Sequence, residues 1–326
     1  MTKILVLAYN NRDNADMFSP GMKYCTQLEN MFLECEFRFK PLGEHTMEDM
    51  LWSDVVSGHP PRGQLGEAKN IKWVHLQSAG VDGYTDKSIY ANPDIVVTRT
   101  ADVFGAAMAE HTIGMMLSLC RLMPKYMRHQ ANHVWQRDYD EKYELTGATV
   151  LILGAGSLAS DLIRRLSGFD CKIIGVRRDV SKPAAGFDKV YPASRLHTAL
   201  GEADFVVSTL PHTPSTEKFM GAAEFAAMKP SAFFFNIGRG VTVDQGALIS
   251  ALQHGKIAGA GLDVTDPEPL EKENPLWDME NVILTPHSSG FSERTNDRRL
   301  ELFAALIRQY LAGETLSWQI DFDAGY

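Results

Sequence analysis

Short apolar runs alternate with longer stretches of helical period along most of the chain. The runs are rich in β-branched or aromatic residues, which predicts buried strands. The predicted strands are Lys3–Tyr9, Glu36–Lys40, Asp54–Ser57, Trp73–Leu76, Ile95–Arg99, Thr149–Leu153, Lys172–Arg177, Phe205–Leu210, Ala232–Ile237, Ile257–Val264 and Val282–Leu284. Long helices are predicted over Val103–His129 and Glu293–Leu311. This alternation is typical of β-α-β units, so we predict an α/β fold with parallel sheets.

A glycine-rich turn follows the strand Thr149–Leu153 and divides the series in two. Six strands, counted from that one, suit one complete dinucleotide-binding domain. The residues at the two ends of the chain must then pair into a second domain. We therefore predict two Rossmann-like, doubly wound parallel-sheet domains with a cleft between them. Residues 101–290 form the dinucleotide-binding domain, and residues 1–100 with 291–326 form a discontinuous, flavodoxin-like substrate-binding domain.

Composition narrows the range of partners. The chain has 326 residues, 44% of them hydrophobic, and its net charge of −9 argues against nucleic acid or an anionic membrane as partners. Its four cysteines lack metal-ligand spacing, so we expect reduced thiols, no bound metal and a cytoplasmic location. We expect no export signal, because the apolar run near the N-terminus is too short for a signal-peptide core. The apolar stretch 104–123 carries Glu110, His111 and Arg121, so we expect a buried helix with His111 as a core or interface residue.

The turn Gly154-Ala-Gly156 stands between a strand and a helix that begins at Ser157, as a dinucleotide-binding motif requires. The glycines permit close backbone approach, and the helix N-terminus, with Ser157 and Leu158, faces the pyrophosphate. Arg177 and Arg178 end the next strand, where an NAD-binding protein usually has an acid. Because a guanidinium pairs with a 2′-phosphate, NADP(H) is favoured as cofactor, while Asp179 leaves NAD(H) possible.

Three polar side chains follow three strands in the last third of the chain: Arg239, Glu268 and His287. In an open parallel sheet, ligands bind in the loops beyond the carboxyl ends of the strands. A guanidinium can hold a carboxylate, and a histidine oriented by an acid can pass a proton to a carbonyl oxygen. Together they predict an enzyme that reduces 2-oxo acids with a nicotinamide cofactor. Asp263 ends a strand beside this site, and we expect it to fix the nicotinamide or a nearby backbone.

From about Gly147 to Gly290 the chain resembles the D-2-hydroxyacid dehydrogenases. The shared motifs are Gly154-Ala-Gly156, Thr209-Leu-Pro-His-Thr-Pro214, Asn236-Ile-Gly-Arg-Gly240, Gly261-Leu-Asp-Val264 with Glu268-Pro-Leu270, and Thr285-Pro-His287. Weaker matches lie at Ser78-Ala-Gly-Val-Asp82 and Ala109-Glu110. Arg177 stands where the family commonly has an acid, and in this the chain resembles the glyoxylate/hydroxypyruvate reductase branch, which often prefers NADPH.

The resemblance implies roles for individual residues. Arg239, Glu268 and His287 are implied to be catalytic, with Arg239 and His287 also contacting substrate. Backbone N–H groups of a second set are implied to hold the substrate carboxylate: Ser78, Ala79 and Gly80. Further cofactor contacts are implied for Thr209, Leu210, Pro211, Thr216, Ile237, Gly238 and Asp263. The resemblance also implies a small 2-oxo or 2-hydroxy acid substrate and a homodimer.

Other functions stay open at this point. They are an NAD-dependent member of the same family, a formate or phosphite dehydrogenase on this fold, and a corepressor-like protein that senses dinucleotides. Glu268 argues against formate oxidation, which needs no proton at oxygen. Only about six residues follow Ile320, whereas a corepressor-like protein usually carries long extensions. The pattern gives neither the preferred 2-oxo acid nor the physiological direction.

Overall fold

The computed structural model describes residues 1–8, 22–41, 43–139, 142–181 and 184–325. The chain forms two compact units: unit 1 contains Met1–Phe104 and Phe291–Tyr326, and unit 2 contains Gly105–Gly290. Across the described ranges, each unit is built on one parallel β-sheet, with five strands in unit 1 and seven in unit 2. The predicted α/β class with two Rossmann-like parallel sheets is confirmed.

The elements alternate between strand and helix along the chain. The strands are β1 (Thr2–Ala8), β2 (Cys35–Pro41), β3 (Val55–Ser57), β4 (Trp73–Leu76), β5 (Val96–Arg99), β6 (Thr149–Leu153), β7 (Lys172–Arg177), β8 (Lys189–Pro192), β9 (Phe205–Ser208), β10 (Phe233–Asn236), β11 (Gly259–Leu262) and β12 (Val282–Leu284). The α-helices are α1 (Met22–Met31), α2 (Met47–Trp52), α3 (Arg62–Leu65), α4 (Gly105–Cys120), α5 (Met123–Ala131), α6 (Ser157–Leu166), α7 (Leu196–Glu202), α8 (Ala222–Ala227), α9 (Gln245–Gln253) and α10 (Thr295–Leu311). Short 3₁₀ helices cover Lys87–Ile89, Ser167–Phe169, Ala193–Arg195, Gly240–Thr242 and Pro275–Trp277.

In unit 1 the strand order is β2-β1-β3-β4-β5, the order of flavodoxin-like folds. Successive residues of β1 enter different cores because side chains alternate across a strand. Ile4 and Val6 pack with Trp73 and with Phe303 of α10. Leu5 and Leu7, on the other face of the strand, pack in a second cluster. The C-terminal helix α10 therefore completes a core that the first strand begins.

In unit 2 the strand order is β12-β11-β10-β9-β6-β7-β8. The order reverses between β6 and β9, as it does in dinucleotide-binding folds. Every residue of β6 after Thr149 is buried, and the side chains alternate between two cores. Leu151 and Leu153 enter one cluster, and Val150 and Ile152 enter the cluster that contains much of α4. Both faces of the sheet are therefore covered, which explains why β6 is continuously apolar.

The structure corrects three expectations about the elements. Unit 2 has seven described strands where six were predicted, because β8 is a short edge strand whose sequence Lys-Val-Tyr-Pro carries little strand signal. The single helix predicted over 103–129 is two helices, interrupted where Leu122 adopts a left-handed conformation with φ 57°. The last helix begins at Thr295 instead of Glu293, and Tyr9 of the first predicted strand lies outside the described residues.

The helices of the described ranges do not include one that is both long and apolar enough to span a membrane.

Candidate active site

The predicted dinucleotide-binding turn lies at the point where the strand order of unit 2 reverses. β6 ends at Leu153, and Gly154 follows with φ 96°, a conformation that favours glycine. A Cβ built on Gly154 would lie 2.8 Å from Oγ1 of Thr209, whose hydroxyl donates to the Leu153 carbonyl at 2.9 Å. The loops after β6 and β9 therefore pack so closely that only glycine fits at position 154.

Helix α6 begins directly after this turn, with Gly156 as its N-cap residue. Among the described residues, no side chain makes a capping hydrogen bond there, and a Cβ built on Gly156 would have no atom within 4 Å. Ser157 and Leu158 form the first turn of the helix, and the third position of the motif, Ala159, is fully buried. An uncapped helix N-terminus below open space is the cradle that a pyrophosphate needs. The residues present therefore fit a dinucleotide cofactor.

Strand β7 ends in a basic segment. Arg177 is half-buried at the last position of the strand and Arg178 is exposed. Asp179, the acid that leaves NAD(H) possible, accepts hydrogen bonds through Oδ1 from the backbone N–H and the hydroxyl of Ser181, at 3.0 and 2.6 Å. The Asp179 carboxylate is therefore hydrogen-bonded within the turn that follows β7.

The loops after β9 and β10 lie against each other. Ile237 is buried and its N–H donates to the Ser208 carbonyl at 3.1 Å. A Cβ built on Gly238 would lie 2.5 Å from the carbonyl oxygen of Leu210. Thr216 stabilises the loop after β9, because its hydroxyl donates to the Pro211 carbonyl at 2.6 Å. The structure thus brings together the predicted cofactor residues of both loops: Thr209, Leu210, Pro211, Thr216, Ile237 and Gly238.

Arg239 is half-buried in the loop after β10, and the backbone on both sides of it is fixed. Its carbonyl accepts hydrogen bonds from the Asn236 side-chain amide at 3.0 Å and from the Thr242 hydroxyl at 2.7 Å. Its own Nη1 donates to the Gly238 carbonyl at 2.8 Å. A Cβ built on the next residue, Gly240, would lie 1.8 Å from the carbonyl oxygen of Thr265. The Arg239 loop therefore rests directly on the loop that carries Glu268.

Glu268 and His287 form a hydrogen-bonded pair. Oε2 of Glu268 lies 2.9 Å from Nδ1 of His287, and the other oxygen, Oε1, accepts the N–H of Thr265 at 3.1 Å. The peptide bonds that precede Pro267 and Pro269 are both cis. The side chain of Glu268 is 38% exposed and that of His287 is 51% exposed, so the pair can be reached from solvent. Nδ1 is engaged by the carboxylate, which leaves Nε2 as the ring nitrogen that can meet a ligand.

Opposing effects set the pKa of Glu268. Partial burial, the largest single effect, raises the pKa of this carboxyl, whereas hydrogen bonding and charge attraction from His287 lower it. The Thr265 N–H and the positive charge of Arg239 lower the pKa further, so the net shift is downward. Glu268 is therefore an ionised hydrogen-bond acceptor at neutral pH, beside both of the other predicted catalytic residues.

Asp263 organises the loop that carries His287. It is buried, and its carboxylate accepts the hydroxyl proton of Thr285 at 2.6 Å and the N–H groups of Ser288 at 2.9 Å and Ser289 at 3.1 Å. The backbone N–H of His287 donates to the Asp263 carbonyl at 2.8 Å. Within this loop His287 adopts φ 51°, a left-handed conformation that is uncommon outside glycine and costs about 1–3 kcal/mol. The surrounding hydrogen bonds hold it there.

In unit 1, the loop Ser78–Gly80 follows β4, and all three of its carbonyl groups are held. Thr100 donates its N–H to Ser78 at 3.0 Å and Arg99 donates Nη1 to Ala79 at 3.3 Å. The Ser78 hydroxyl donates to the Gly80 carbonyl at 2.6 Å. In the described part of the chain, the N–H groups of these three loop residues donate to no backbone carbonyl. Consecutive amides of this kind can form an anion-binding nest.

A partly buried polar cluster supports this loop. His59 Nε2 lies 2.9 Å from the Ser78 hydroxyl, whose single proton is already given to Gly80, so the histidine is the donor. Arg299 donates to the carbonyl of Gln77 at 3.0 Å. Burial and then the charge of Arg299 lower the pKa of His59 to about 4. Burial, followed by charge interactions with His59 and Arg299, lowers the pKa of His75 to about 3. Both histidines are therefore neutral at physiological pH.

Two of these supporting side chains were missed in the sequence. Thr285 belongs to the Thr285-Pro-His287 motif, but its supporting role depends on the sheet register: Leu262 pairs with Leu284, which places Asp263 opposite Thr285. His111, expected to be a core or interface residue, lies 3.0 Å from the same threonine hydroxyl through Nε2. His59 follows a strand with no pattern around it, so no sequence signal identified it.

Comparison with known proteins gives one family. Residues 113–289 match the family model described as D-isomer specific 2-hydroxyacid dehydrogenase, NAD binding domain. Human glyoxylate reductase/hydroxypyruvate reductase is 33% identical over 268 residues, which cover 80% of this chain and 81% of that protein.

Solved structures give the same result over nearly the whole length. A D-isomer specific 2-hydroxyacid dehydrogenase family protein from Aeromonas salmonicida has a TM-score of 0.85 and 32% identity, covering 99% of this chain and 100% of that chain. An NADPH-dependent glyoxylate/hydroxypyruvate reductase from Sinorhizobium meliloti, in complex with NADP and sulfate, has a TM-score of 0.83 and 26% identity, covering 100% of both chains.

Proposed function

We propose that this chain, which belongs to the D-isomer specific 2-hydroxyacid dehydrogenase family, reduces a small 2-oxo acid to the corresponding 2-hydroxy acid with NADPH. Its membership makes it an NAD(P)-dependent oxidoreductase. The observation that carries the proposal is the 2.9 Å contact between Glu268 and Nδ1 of His287 beside the Arg239 loop. It provides an oriented acid–base group next to a fixed cation.

His287 is the proton donor in this proposal. Because ionised Glu268 accepts the Nδ1 proton, Nε2–H is directed to the keto oxygen of the substrate. The bound nicotinamide supplies the hydride that reaches the 2-carbon. As the carbon is reduced, the Nε2 proton moves to the oxygen and completes the hydroxyl group. The half-exposed ring then regains a proton from water, so one proton is consumed for each 2-oxo acid.

The substrate carboxylate is the second group to be recognised. A guanidinium has five N–H donors, and the bond from Nη1 of Arg239 to Gly238 fixes the plane in which the others lie. In the proposed reaction Arg239 holds the carboxylate and polarises the keto oxygen. By the family resemblance we also propose that the N–H groups of Ser78, Ala79 and Gly80 bind a substrate carboxylate, the substrate-binding role predicted for unit 1, and that unit 2 binds the cofactor.

The preference for NADPH rests on the end of β7. Arg177 and Arg178 place two cations where the ribose of a dinucleotide is read. The engagement of Asp179 by Ser181 supports the same preference, because an acid used in a turn is less available to a ribose diol. The NADP complex of the Sinorhizobium protein adds further support by similarity.

Absorbance at the reduced-nicotinamide band tests this proposal directly. Purified protein is mixed with NADPH or NADH and a panel of glyoxylate, hydroxypyruvate, pyruvate and a branched 2-oxo acid. Rapid oxidation of NADPH by one or two of these supports the reaction, and Arg177→Asp should then shift the preference toward NADH. Binding of both cofactors without any oxidation would refute the reaction and favour a dinucleotide-sensing protein.

We also propose a homodimer in the cytoplasm. Large apolar side chains of α5 and the segment after it are exposed, with Met127 63%, Trp135 100% and Tyr139 90% exposed. Large exposed apolar side chains in one segment support a protein–protein interface there. The four cysteines form no disulfide, which suits a reducing compartment. Sedimentation of the purified protein tests the oligomeric state.

A further inference from the structure

We infer that His111 of α4 is a positioning residue for His287 and acts through Thr285 and Asp263. The inference rests on the proposed function, because it concerns how the proton donor of that reaction is held. The four residues belong to unit 2, and hydrogen bonds join them in sequence: His111 to Thr285, Thr285 to Asp263, and Asp263 to the backbone next to His287.

Counting protons fixes the direction of each hydrogen bond. Oγ1 of Thr285 lies 2.6 Å from Oδ1 of Asp263, and an ionised carboxylate can only accept. The single hydroxyl proton of Thr285 is therefore given to Asp263. Nε2 of His111 lies 3.0 Å from the same hydroxyl oxygen, so it must donate its own proton to an oxygen lone pair. His111 thus carries a proton on Nε2, and its bond aims the threonine proton at the carboxylate.

The carboxylate then fixes the backbone on both sides of the catalytic histidine. On the N-terminal side of His287, the Asp263 carboxylate accepts a hydrogen bond from the Thr285 hydroxyl. On the C-terminal side, the same carboxylate accepts hydrogen bonds from the N–H groups of Ser288 at 2.9 Å and Ser289 at 3.1 Å. These bonds hold His287 at φ 51°. A residue in that conformation relaxes when its surroundings no longer hold it, which would move Nδ1 away from Glu268.

Asp263 is buried, so the loss of one of its donors is not readily replaced by water. His111 is half-buried on α4, a helix whose neighbouring residues Ala109, Thr112 and Ile113 are buried in unit 2. The helix therefore presents the histidine from a rigid element. His111 itself touches no reacting atom in this arrangement, and its effect on catalysis passes through the loop.

Turnover of matched variants tests the relay. We expect His111→Phe, which keeps a ring and removes the donor, to lower kcat about tenfold, the effect of losing one hydrogen bond. NADPH affinity and Tm should stay near the wild-type values. Thr285→Val should lower kcat at least as much, and the double variant should match Thr285→Val alone, because both changes break one chain. The conservative changes His111→Gln and Thr285→Ser should recover most of the loss.

The surface variant His254→Phe is the control, since His254 is exposed and its ring hydrogen-bonds to Ser250 within its own helical turn. Its kcat should equal that of the wild type. The inference is overturned if His111→Phe keeps full kcat, if the effects of His111→Phe and Thr285→Val add, or if kcat falls only in proportion to a fall in Tm.

Hydrogen exchange separates this inference from the proposed reaction. If the wild-type protein reduces no 2-oxo acid, the proposed function fails, but the relay can still be measured at the amide protons of Ser288 and Ser289. Exchange about tenfold faster in His111→Phe, and unchanged in His254→Phe, supports the relay. Equal exchange in His111→Phe and the wild type overturns it.

Discussion

The contact between the Arg239 loop and the Glu268 loop can be tested by adding one methyl group, in Gly240→Ala. The new Cβ would lie 1.8 Å from the carbonyl oxygen of Thr265 and 2.1 Å from its carbonyl carbon, and both are backbone atoms that cannot rotate away. Ordinary contact begins at 3.4 Å, so the two loops must separate by 3.4 − 1.8 = 1.6 Å. One loop carries Arg239 and the other carries Glu268, so the separation acts directly on the proposed catalytic geometry.

A displacement of about 1 Å at a catalytic group costs about a hundredfold in rate, so we expect kcat/KM to fall by at least that factor in Gly240→Ala. Overpacking should also lower the free energy of unfolding by about 1–3 kcal/mol. Steady-state kinetics with NADPH and the best 2-oxo acid measure the first effect, and urea unfolding measures the second.

Gly246→Ala is the matched control. Gly246 is exposed in the first turn of α9, and a Cβ there would meet only a side-chain oxygen of Asp244 at 3.4 Å. That change should leave kcat/KM unchanged and stabilise the protein by about 0.5 kcal/mol, because alanine favours the helix. If Gly240→Ala were as active and stable as Gly246→Ala, the close packing of the two catalytic loops would be refuted.

Three further predictions follow from the site and its support. His287→Ala should lower kcat a hundredfold or more, as expected for lost general acid catalysis, with NADPH affinity unchanged by fluorescence titration; retained turnover would contradict the proton-donor role. Arg239→Lys should reduce kcat/KM for the 2-oxo acid about tenfold or more without changing NADPH affinity, because the planar fork is lost; equal kcat/KM would argue against carboxylate recognition by Arg239. The free energy of unfolding should fall as pH falls from 6.5 to 4, because burial lowers the pKa of folded His75 to about 3 and the unfolded chain binds the proton first. His75 contributes at most about 1.4 kcal/mol per pH unit to this fall, and His75→Gln should flatten the slope of unfolding free energy against pH, measured by urea unfolding. An unchanged slope would contradict the role of His75.

Four strands have the bounds that the sequence predicted, because their apolar runs end close to where the chain leaves the sheet: Trp73–Leu76, Thr149–Leu153, Lys172–Arg177 and Val282–Leu284. The edge strand β8 was missed because one side of it has no neighbour and its residues need not be apolar. The break at Leu122 was missed because a left-handed leucine has no local sequence signal and depends on tertiary packing.

Within the site, spacing along the chain located the loops but not their mutual support. The rule that strand ends carry ligands was enough to select Arg239, Glu268 and His287 as candidates. The sequence could not give the 2.9 Å separation of Glu268 and His287, which depends on the paths of two loops. It also could not connect His111 with Thr285, which are 174 positions apart along the chain. Such contacts require the order of the strands, which only the folded chain defines.

The division of unit 1 between the two ends of the chain has a consequence for synthesis on the ribosome. Ile4 and Trp73 share their core with Phe303, Leu306 and Ile307 of α10, so the first strands emerge long before the helix that covers them. At about 5–20 residues per second, residues 105–290 take about 10–40 s to add. Unit 2 is continuous and can fold during that interval. The strands of unit 1 that are made first therefore complete their core last, and they must be protected from aggregation until α10 has been made.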